Sequence, residues 1–198
     1  MMKIGTSGFR GVIGDDYTKE NVCKIAQVTC DILEKYNFQK IVSLGYDNRF
    51  MSEFYAKWVA EVFCANDVKV LFIKDPTSSP TLSFAGKFYK TPLNLMITAS
   101  HNPYVYNGVK IFSRDGQDLE LYLEKEYTKR VAKIKKYKSM DFDDGIKRDK
   151  IQFVDPTNEF ADALLSLMKN RPNKKLKVAY NALHGSSVKL IKVVREKL

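Results

Sequence analysis

The sequence predicts an α/β fold: a three-layer arrangement in which a mixed, mostly parallel sheet is covered by helices on both faces. Short apolar segments alternate with longer amphipathic segments along the chain, as in strands joined by crossover helices. Hydrophobic residues make up 44% of the sequence and aromatic residues 12%, which suffices for a packed core. The length of 198 residues fits one α/β domain and the beginning of a second.

Hydrophobic periodicity places the individual elements. A helix over 21–36 carries Val22, Ile25, Ile32 and Tyr36 on one stripe. The other predicted elements, in chain order, are a strand at 41–45, a helix at 54–63, a strand at 68–73, a helix at 79–89, strands at 93–98 and 107–112, helices at 119–138 and 158–168, a strand at 176–180 and a helix at 188–198.

The domain organisation follows from these elements. Residues 1–150 form a first domain and residues 151–198 the incomplete start of a second, similar α/β domain. Between them we expect a solvated acidic linker at 141–145 and a further linker over 147–156. Because one strand and its helix cannot bury their apolar faces alone, we expect the chain to be cut short inside the second domain, by truncation of the gene product or by expression of a part of it.

Glycine recurs every third residue from Gly5 to Gly14. Such a segment can bring backbone N–H groups close to an anion, and Arg10 adds a cation whose fork suits phosphate. Thr6 and Ser7 are therefore candidate phosphate contacts. The segment is neither a Walker A motif nor a dinucleotide fingerprint, and a tight surface turn with a solvated arginine is the alternative.

A lone serine, Ser100, stands on a turn that leaves the apolar strand 93–98. Asn102 and Pro103 prevent the strand from continuing, so the hydroxyl lies at a strand's carboxyl end, where open α/β sheets place their chemistry. We interpret Ser100 as a covalent phosphate carrier. Taken alone, these residues favour an ordinary polar turn about two to one.

Four motifs, in this order, change that weighting: GTSGFRG at 5–11, GYDNR at 45–49, TASHNP at 98–103 and NGVK at 107–110. Together they resemble the α-D-phosphohexomutases, in particular the phosphoglucomutase/phosphomannomutase branch. The resemblance covers the first half of the chain.

The resemblance implies an isomerase that acts as an intramolecular phosphotransferase, moving phosphate between the 1- and 6-positions of a hexose phosphate such as that of glucose or mannose. Hexose 1,6-bisphosphate would be the second ligand. By similarity, Ser100 is the phosphorylated residue, Lys110 the general acid/base at the sugar hydroxyl and Arg10 a stabiliser of phosphate charge. His101 and Asn102 line the same loop, with His101 among the catalytic candidates and Asn102 as a phosphate contact.

The resemblance also implies Mg²⁺, held in the family by an Asp-Gly-Asp-Gly-Asp loop of the second domain against the serine phosphate. No such loop occurs in this sequence, and 141–145 does not fit an EF-hand. Ser100, through its phosphate, is then the one metal contact expected from this chain. The expected partners include the C-terminal domains that the chain lacks, and the chain alone is expected to be inactive.

Other readings of the same residues are weaker. His101 beside Ser100 suggests a hydrolase, but no Gly-x-Ser-x-Gly elbow is present. A zinc site is disfavoured because His101 and His184 are the only histidines and no Cys-x-x-Cys pair occurs. Asp47 and Arg49 either support the cleft or form an ion pair that pins a loop, and we assign them no chemistry.

The formal charge of +10 suits anionic substrates. Lysines and arginines cluster late in the predicted helix 119–138, but acidic residues precede them, so a solvated helix is favoured about three to one over a nucleic-acid surface. A non-catalytic module that binds anions or nucleic acid remains the alternative function.

The three cysteines, Cys23, Cys30 and Cys64, are expected to be buried apolar residues in a reducing cytosol. The amino-terminal sequence contains no apolar signal region, and no segment approaches transmembrane length. A cytoplasmic location without a membrane partner is therefore expected.

Overall fold

A computed structural model describes residues 4–5, 8–169 and 177–198 and contains a six-stranded sheet between helical layers. The strands are β1 (Phe9–Val12), β2 (Ile41–Tyr46), β3 (Lys69–Ile73), β4 (Leu93–Ile97), β5 (Tyr106–Ser113) and β6 (Ile151–Val154). The helices are α1 (Lys19–Lys35), α2 (Ser52–Ala65), α3 (Ser79–Tyr89), α4 (Leu121–Val131), α5 (Phe142–Lys147), α6 (Thr157–Ser166) and α7 (Val188–Lys197).

The sheet is mixed and mostly parallel, with the strand order β1-β5-β4-β2-β3-β6. The pairs β4–β2, β2–β3 and β3–β6 are parallel, whereas β5 is antiparallel to both of its neighbours, β4 and β1. β5 is thus the one strand of this sheet that runs in the opposite direction. The predicted fold class is confirmed.

Helices cover both faces of the sheet. On one face α1 and α2 pack against each other, α4 packs on α1 and α5 on α2, above a large apolar core. On the other face α3 packs on β2, β4 and β5, and Leu82 and Ala85 of α3 join Met96 and Phe112 of the sheet in a smaller core. The central strand β4 is buried along its whole length, as expected for a strand covered on both sides.

Side-chain caps start several of these helices. The side chain of Thr18 accepts from the backbone N–H of Asn21 at the start of α1, and that of Ser78 accepts from Thr81 at the start of α3. Asp141 accepts from the N–H groups of the second and third residues of α5. Each cap satisfies backbone donors that the first helical turn leaves without a partner.

The linkers predicted at 141–145 and 147–156 are wrong. Asp141 caps α5, so the acidic residues that follow it form a first helical turn. Ile151–Val154 is strand β6, which pairs in parallel with β3 and buries Ile151. A four-residue edge strand depends on its neighbour for hydrogen bonds, so local sequence does not reveal it. The domain division after residue 150 stays a prediction.

Two other predicted elements differ. The helix expected over 119–138 ends at Val131, because the chain beyond it turns to pack Ile134, Tyr137 and Met140 against the larger core. Of the strand expected at 176–180, Leu176 lies outside the described residues. Residues 177–180 are exposed and irregular, since no described strand lies beside them to pair with. Strand β1 had not been predicted.

Cys23, Cys30 and Cys64 are buried and unpaired, as expected. Burial raises the pKa of the Cys23 thiol and that of Cys64 to about 11 each, so both are protonated at neutral pH. Within the described residues, no helix has the length and apolarity needed to cross a bilayer.

An ion-pair cluster joins α7 to the loops that follow β3 and β6. Lys189 Nζ lies 2.6 Å from Asp75 Oδ2 and 2.7 Å from Asp155 Oδ2. Burial lowers the pKa of Lys189, but hydrogen bonds to the two carboxylates outweigh burial and hold that pKa above its usual 10.5. Burial likewise raises the pKa of Asp155, but hydrogen bonds from Lys189 and Thr157 outweigh it and hold that pKa below its usual 3.8.

These shifts predict a pH window for the docking of α7. The stabilisation that Asp155 gives to the docking of α7 is complete above pH 3.8 and is lost as the pH falls below that value. The stabilisation that Lys189 gives is complete below pH 10.5 and is lost as the pH rises above that value. We expect amide exchange in α7 to accelerate below pH 3.8 ahead of exchange in β4. Lys189→Met should already show fast exchange in α7 at about pH 6, since both carboxylates are then ionised without their partner.

Lys192→Met, on the same helix but without an ion pair to a described residue, is the control and should exchange like the unmodified chain. Equal rates of amide exchange in α7 of the two variants at about pH 6 would contradict a role for the ion-pair cluster in docking α7.

Candidate active site

Loops at the carboxyl ends of β2, β3 and β4 surround a cleft of about 940 Å³. Its walls come from the loop after β2 (47–50), the start of α3 (77–80), the loop between β4 and β5 that carries Ser100, and the turn at 183–186. We call residues 98–105 the serine loop. The cleft therefore lies at the sheet edge where open α/β folds bind ligands.

Ser100 is exposed in this cleft and adopts the left-handed backbone conformation, with φ at +57°. For a residue other than glycine this conformation costs on the order of 1–2 kcal/mol, so contacts of the loop must hold it. One of them is the N–H of Ser100, which donates to Thr98 Oγ1 at 2.9 Å. The Ser100 hydroxyl lies 3.4 Å from His101 Nδ1.

Lys110 lies on β5, opposite Met96 of β4, and its half-buried side chain lines the same cleft. Its ammonium group makes no hydrogen bond or ion pair with any described residue. The antiparallel pairing of β4 and β5 brings this residue beside the serine loop, because both strands end or begin at that loop. A cation and a nucleophilic hydroxyl thus share one cleft.

Arg10 reaches the serine loop from β1. Its Nη1 donates to Asn102 Oδ1 at 2.8 Å. Its Nε is buried and has no hydrogen-bond partner among the described residues. A buried donor without an acceptor costs about 1–3 kcal/mol of stability, and an anion that reached Nε would recover this free energy.

Gly5 and Gly8 form an antiparallel bridge in which the backbone N–H of Gly8 donates to Gly5 O at 2.7 Å. Thr6 and Ser7 lie outside the described residues. Gly8 has φ at +82°, and a Cβ atom there would lie 2.0 Å from Val109 O and 2.8 Å from Lys110 Cα. Only glycine permits this approach of residue 8 to β5.

Arg49 holds the serine loop in place. Its Nη2 donates to the carbonyls of Ser100 and Asn102 at 2.7 and 2.6 Å, and its Nη1 donates to those of Pro103 and Tyr106, both at 3.0 Å. One guanidinium thus binds four carbonyl groups along the loop and the first residue of β5. Two roles were considered for Arg49, support of the cleft and pinning of a loop. Its contacts show that it pins the serine loop.

Asp47 and Asn107 position Arg49 and the loop after β2. Asp47 Oδ1 accepts from the backbone N–H of Arg49 at 3.0 Å and from the Ser52 hydroxyl at 2.7 Å, while its Oδ2 lies 3.6 Å from Arg49 Nε. Asn107 donates to Ser52 Oγ at 2.9 Å and to Phe50 O at 3.2 Å. This network joins β2, α2 and β5 beneath the cleft.

A buried tyrosine supports β5 from below. The Tyr17 hydroxyl donates to Gly108 O at 2.9 Å, and the Tyr55 hydroxyl donates to Tyr17 O. Burial, followed by the nearby Tyr55, Asp47 and Cys23, raises the pKa of Tyr17 well above its usual 10.0. Tyr17 therefore remains a neutral donor throughout the physiological range.

The cleft also receives residues that sequence analysis did not place there. His184 lines it from the turn before α7, and its carbonyl accepts from Asn48 Nδ2 at 2.8 Å. Leu183 and His184 both have positive φ, at 46° and 69°. The sequence signal was the pair His184-Gly185, which resembles a turn of the second domain of phosphohexomutases, but the distance in sequence hid its contact with the loop after β2.

The described residues contain no group of three or more His, Cys, Asp or Glu side chains that could hold a metal ion. The acidic residues 141–145 belong to α5 and its cap and take no part in the cleft. The part of the chain that the structure describes therefore does not form the magnesium site that the resemblance implies.

Comparison with known proteins decides the family. Residues 1–138 match the family model of phosphoglucomutase/phosphomannomutase, alpha/beta/alpha domain I. The chain belongs to this family. Among curated relatives, the phosphoglucomutases of Staphylococcus epidermidis (strain RP62A) and Staphylococcus aureus (strain MRSA252) are each 26% identical over 198 aligned residues. The alignments cover 96% of this chain and 36% of each relative, so the chain spans about a third of their length.

Solved structures agree. A protein from Thermus thermophilus assigned as a phosphomannomutase superimposes with a TM-score of 0.74 at 27% sequence identity. The superposition covers 83% of the present chain and 36% of the Thermus chain. The Paramecium phosphoglucomutase pp63/parafusin, in its open form, gives a TM-score of 0.84 at 19% identity, over 99% of this chain and 41% of its own. The second comparison supports the fold.

The role of Arg49 is testable by substitution. Arg49→Met removes the four donors and should lower the free energy of unfolding by about 1–3 kcal/mol, measured by urea titration. Arg49→Lys keeps the charge but cannot bind four carbonyls at once and should restore less than half of the loss. Lys57→Met, which breaks an exposed pair with Glu53, is the control and should change stability by less than about 0.5 kcal/mol. Full stability of Arg49→Lys would contradict the role of the fork.

Proposed function

We propose that this chain is the phosphate-carrying part of a phosphohexomutase and that Ser100 is the residue that carries the phosphoryl group. The proposal rests above all on the placement of an exposed, conformationally strained serine in one cleft with Lys110, on a loop that Arg10 contacts. Membership of the phosphoglucomutase/phosphomannomutase family supports hexose phosphates, such as those of glucose or mannose, as the substrate class.

The transfer uses groups of this chain as follows. A hydroxyl oxygen of the sugar attacks the phosphorus on Ser100, its proton passes to Nζ of Lys110, which enters the step as the neutral amine, and the bond between phosphorus and Ser100 Oγ breaks. His101, whose Nδ1 lies 3.4 Å from that oxygen, supplies the proton that the serine takes up. The return step reverses each transfer, with Lys110 giving its proton to the departing sugar oxygen.

Arg10 stabilises the charge that phosphoryl transfer concentrates on the phosphate oxygens. Its Nη1 already donates to Asn102 Oδ1 of the serine loop, which holds the guanidinium beside the residue that carries the phosphate. Mg²⁺ would supply further neutralisation in the full-length relatives. No step is assigned to it here, because the described residues do not provide its ligands.

Phosphorylation of Ser100 is the first test. We expect the purified chain, incubated with glucose 1,6-bisphosphate, to gain the mass of one phosphoryl group, located at Ser100 by peptide mapping. Ser100→Ala should abolish the gain, whereas Ser79→Ala, at another serine that lines the cleft, should leave it unchanged. Phosphate on another residue of the unmodified chain, or none at all, would overturn the proposal.

Turnover is the second test. We infer that the chain alone does not convert glucose 1-phosphate into glucose 6-phosphate, because it spans about a third of the length of the curated phosphoglucomutases and provides no group of metal-binding carboxylates among its described residues. A coupled assay with a full-length phosphoglucomutase as positive control measures this. Sustained conversion by the chain that Ser100→Ala abolishes would show that the chain suffices for the reaction.

A further inference from the structure

Seven aromatic side chains of the described residues are exposed, and five of them have a partner. Phe54 pairs with Trp58, Phe88 with Phe84, Tyr122 with Tyr36, Phe153 with Phe72, and the Tyr180 hydroxyl bonds Ser187 Oγ. Phe50 and Tyr104 are the exceptions. They are 72% and 87% exposed and pair with no ring of a described residue.

Both exceptions line the cleft that holds Ser100 and Lys110. Exposed apolar groups that collect at one concave site, rather than scattering, mark a binding surface. The cleft thus combines cationic and hydroxyl groups with two free aromatic rings at its rim. A ligand that suits both must carry an anionic group and an apolar face.

The backbone under the two rings is held firmly. Phe50 follows Arg49, and its carbonyl accepts from Asn107 Nδ2 at 3.2 Å. Tyr104 follows Pro103, whose carbonyl accepts from Arg49 Nη1 at 3.0 Å and from the N–H of Tyr106 at 3.0 Å. Anchored aromatic residues have few side-chain torsions to restrict, so they bind with a small loss of entropy.

We propose that Phe50 and Tyr104 bind the C–H face of the hexose ring while its phosphate occupies the polar part of the cleft. The proposal rests on the proposed function, which makes a hexose phosphate the ligand, and it adds the residues that recognise the sugar. A pyranose presents axial C–H groups that pack on an aromatic face, whereas inorganic phosphate has no such groups. The rings thus distinguish a sugar phosphate from free phosphate.

The test compares two probes on the same chain. Dissociation constants for glucose 1-phosphate and for inorganic phosphate are measured by following amide shifts of Ser100, Asn102 and Lys110 in NMR titrations. We expect Phe50→Ala and Tyr104→Ala each to weaken binding of glucose 1-phosphate by about threefold to tenfold, the range of one aromatic contact, and to leave inorganic phosphate unchanged. Tyr104→Phe should bind the sugar phosphate as the unmodified chain does.

Phe54→Ala removes an exposed ring that packs at a tilt against Trp58 outside the cleft and should affect neither probe. Equal weakening of both probes by Phe50→Ala and Tyr104→Ala would assign the rings to loop structure and overturn the proposal. Equal affinity of the unmodified chain for the two probes, absence of binding included, would also overturn it. Failure of Ser100 to take up phosphate, with the sugar preference intact, would instead refute the proposed function alone.

Discussion

The position of Ser100 depends on the contact between the Arg49 guanidinium and the carbonyls of the serine loop. This loop lies between two strands and has no backbone ladder of its own, so its carbonyls need donors from elsewhere. Three of them, and the carbonyl of Tyr106 at the start of β5, accept from one planar cation whose position is fixed by Asp47. The strained conformation of Ser100 is therefore maintained by a residue that lies far earlier in the chain.

Polar and apolar groups of the cleft differ in how fully their contacts are satisfied. Asp47, Ser52 and Asn107 form a connected network of hydrogen bonds. Lys110 lines the cleft without a partner among the described residues, and the rings of Phe50 and Tyr104 line it without pairing with a ring of a described residue. Fully bonded groups keep a framework rigid, whereas unpaired groups retain free energy that a ligand can release on binding.

Sequence patterns predicted the alternating helices and strands of the core well, because each is long enough or apolar enough to show its hydrophobic periodicity. They failed where pairing partners decide the outcome: β6 is a strand because β3 lies beside it, and 177–180 is irregular although its composition suits a strand. The motifs located Ser100 and its neighbours. The motifs could not show that Arg49 binds carbonyls or that His184 lines the cleft. Both contacts join residues that are distant in sequence, and a local motif does not reveal such contacts.

The reversal of β5 has a consequence for biosynthesis. Because β4 and β5 are antiparallel neighbours, a short connection joins them and no crossover helix intervenes. Ser100 and Lys110 are close together in sequence, and Arg49 precedes both. The pairing of β4 with β5 is local and forms quickly, and amino-terminal segments such as that of Arg49 leave the ribosome first. The hairpin that carries Ser100 should thus assemble during translation, before the His184 turn has emerged.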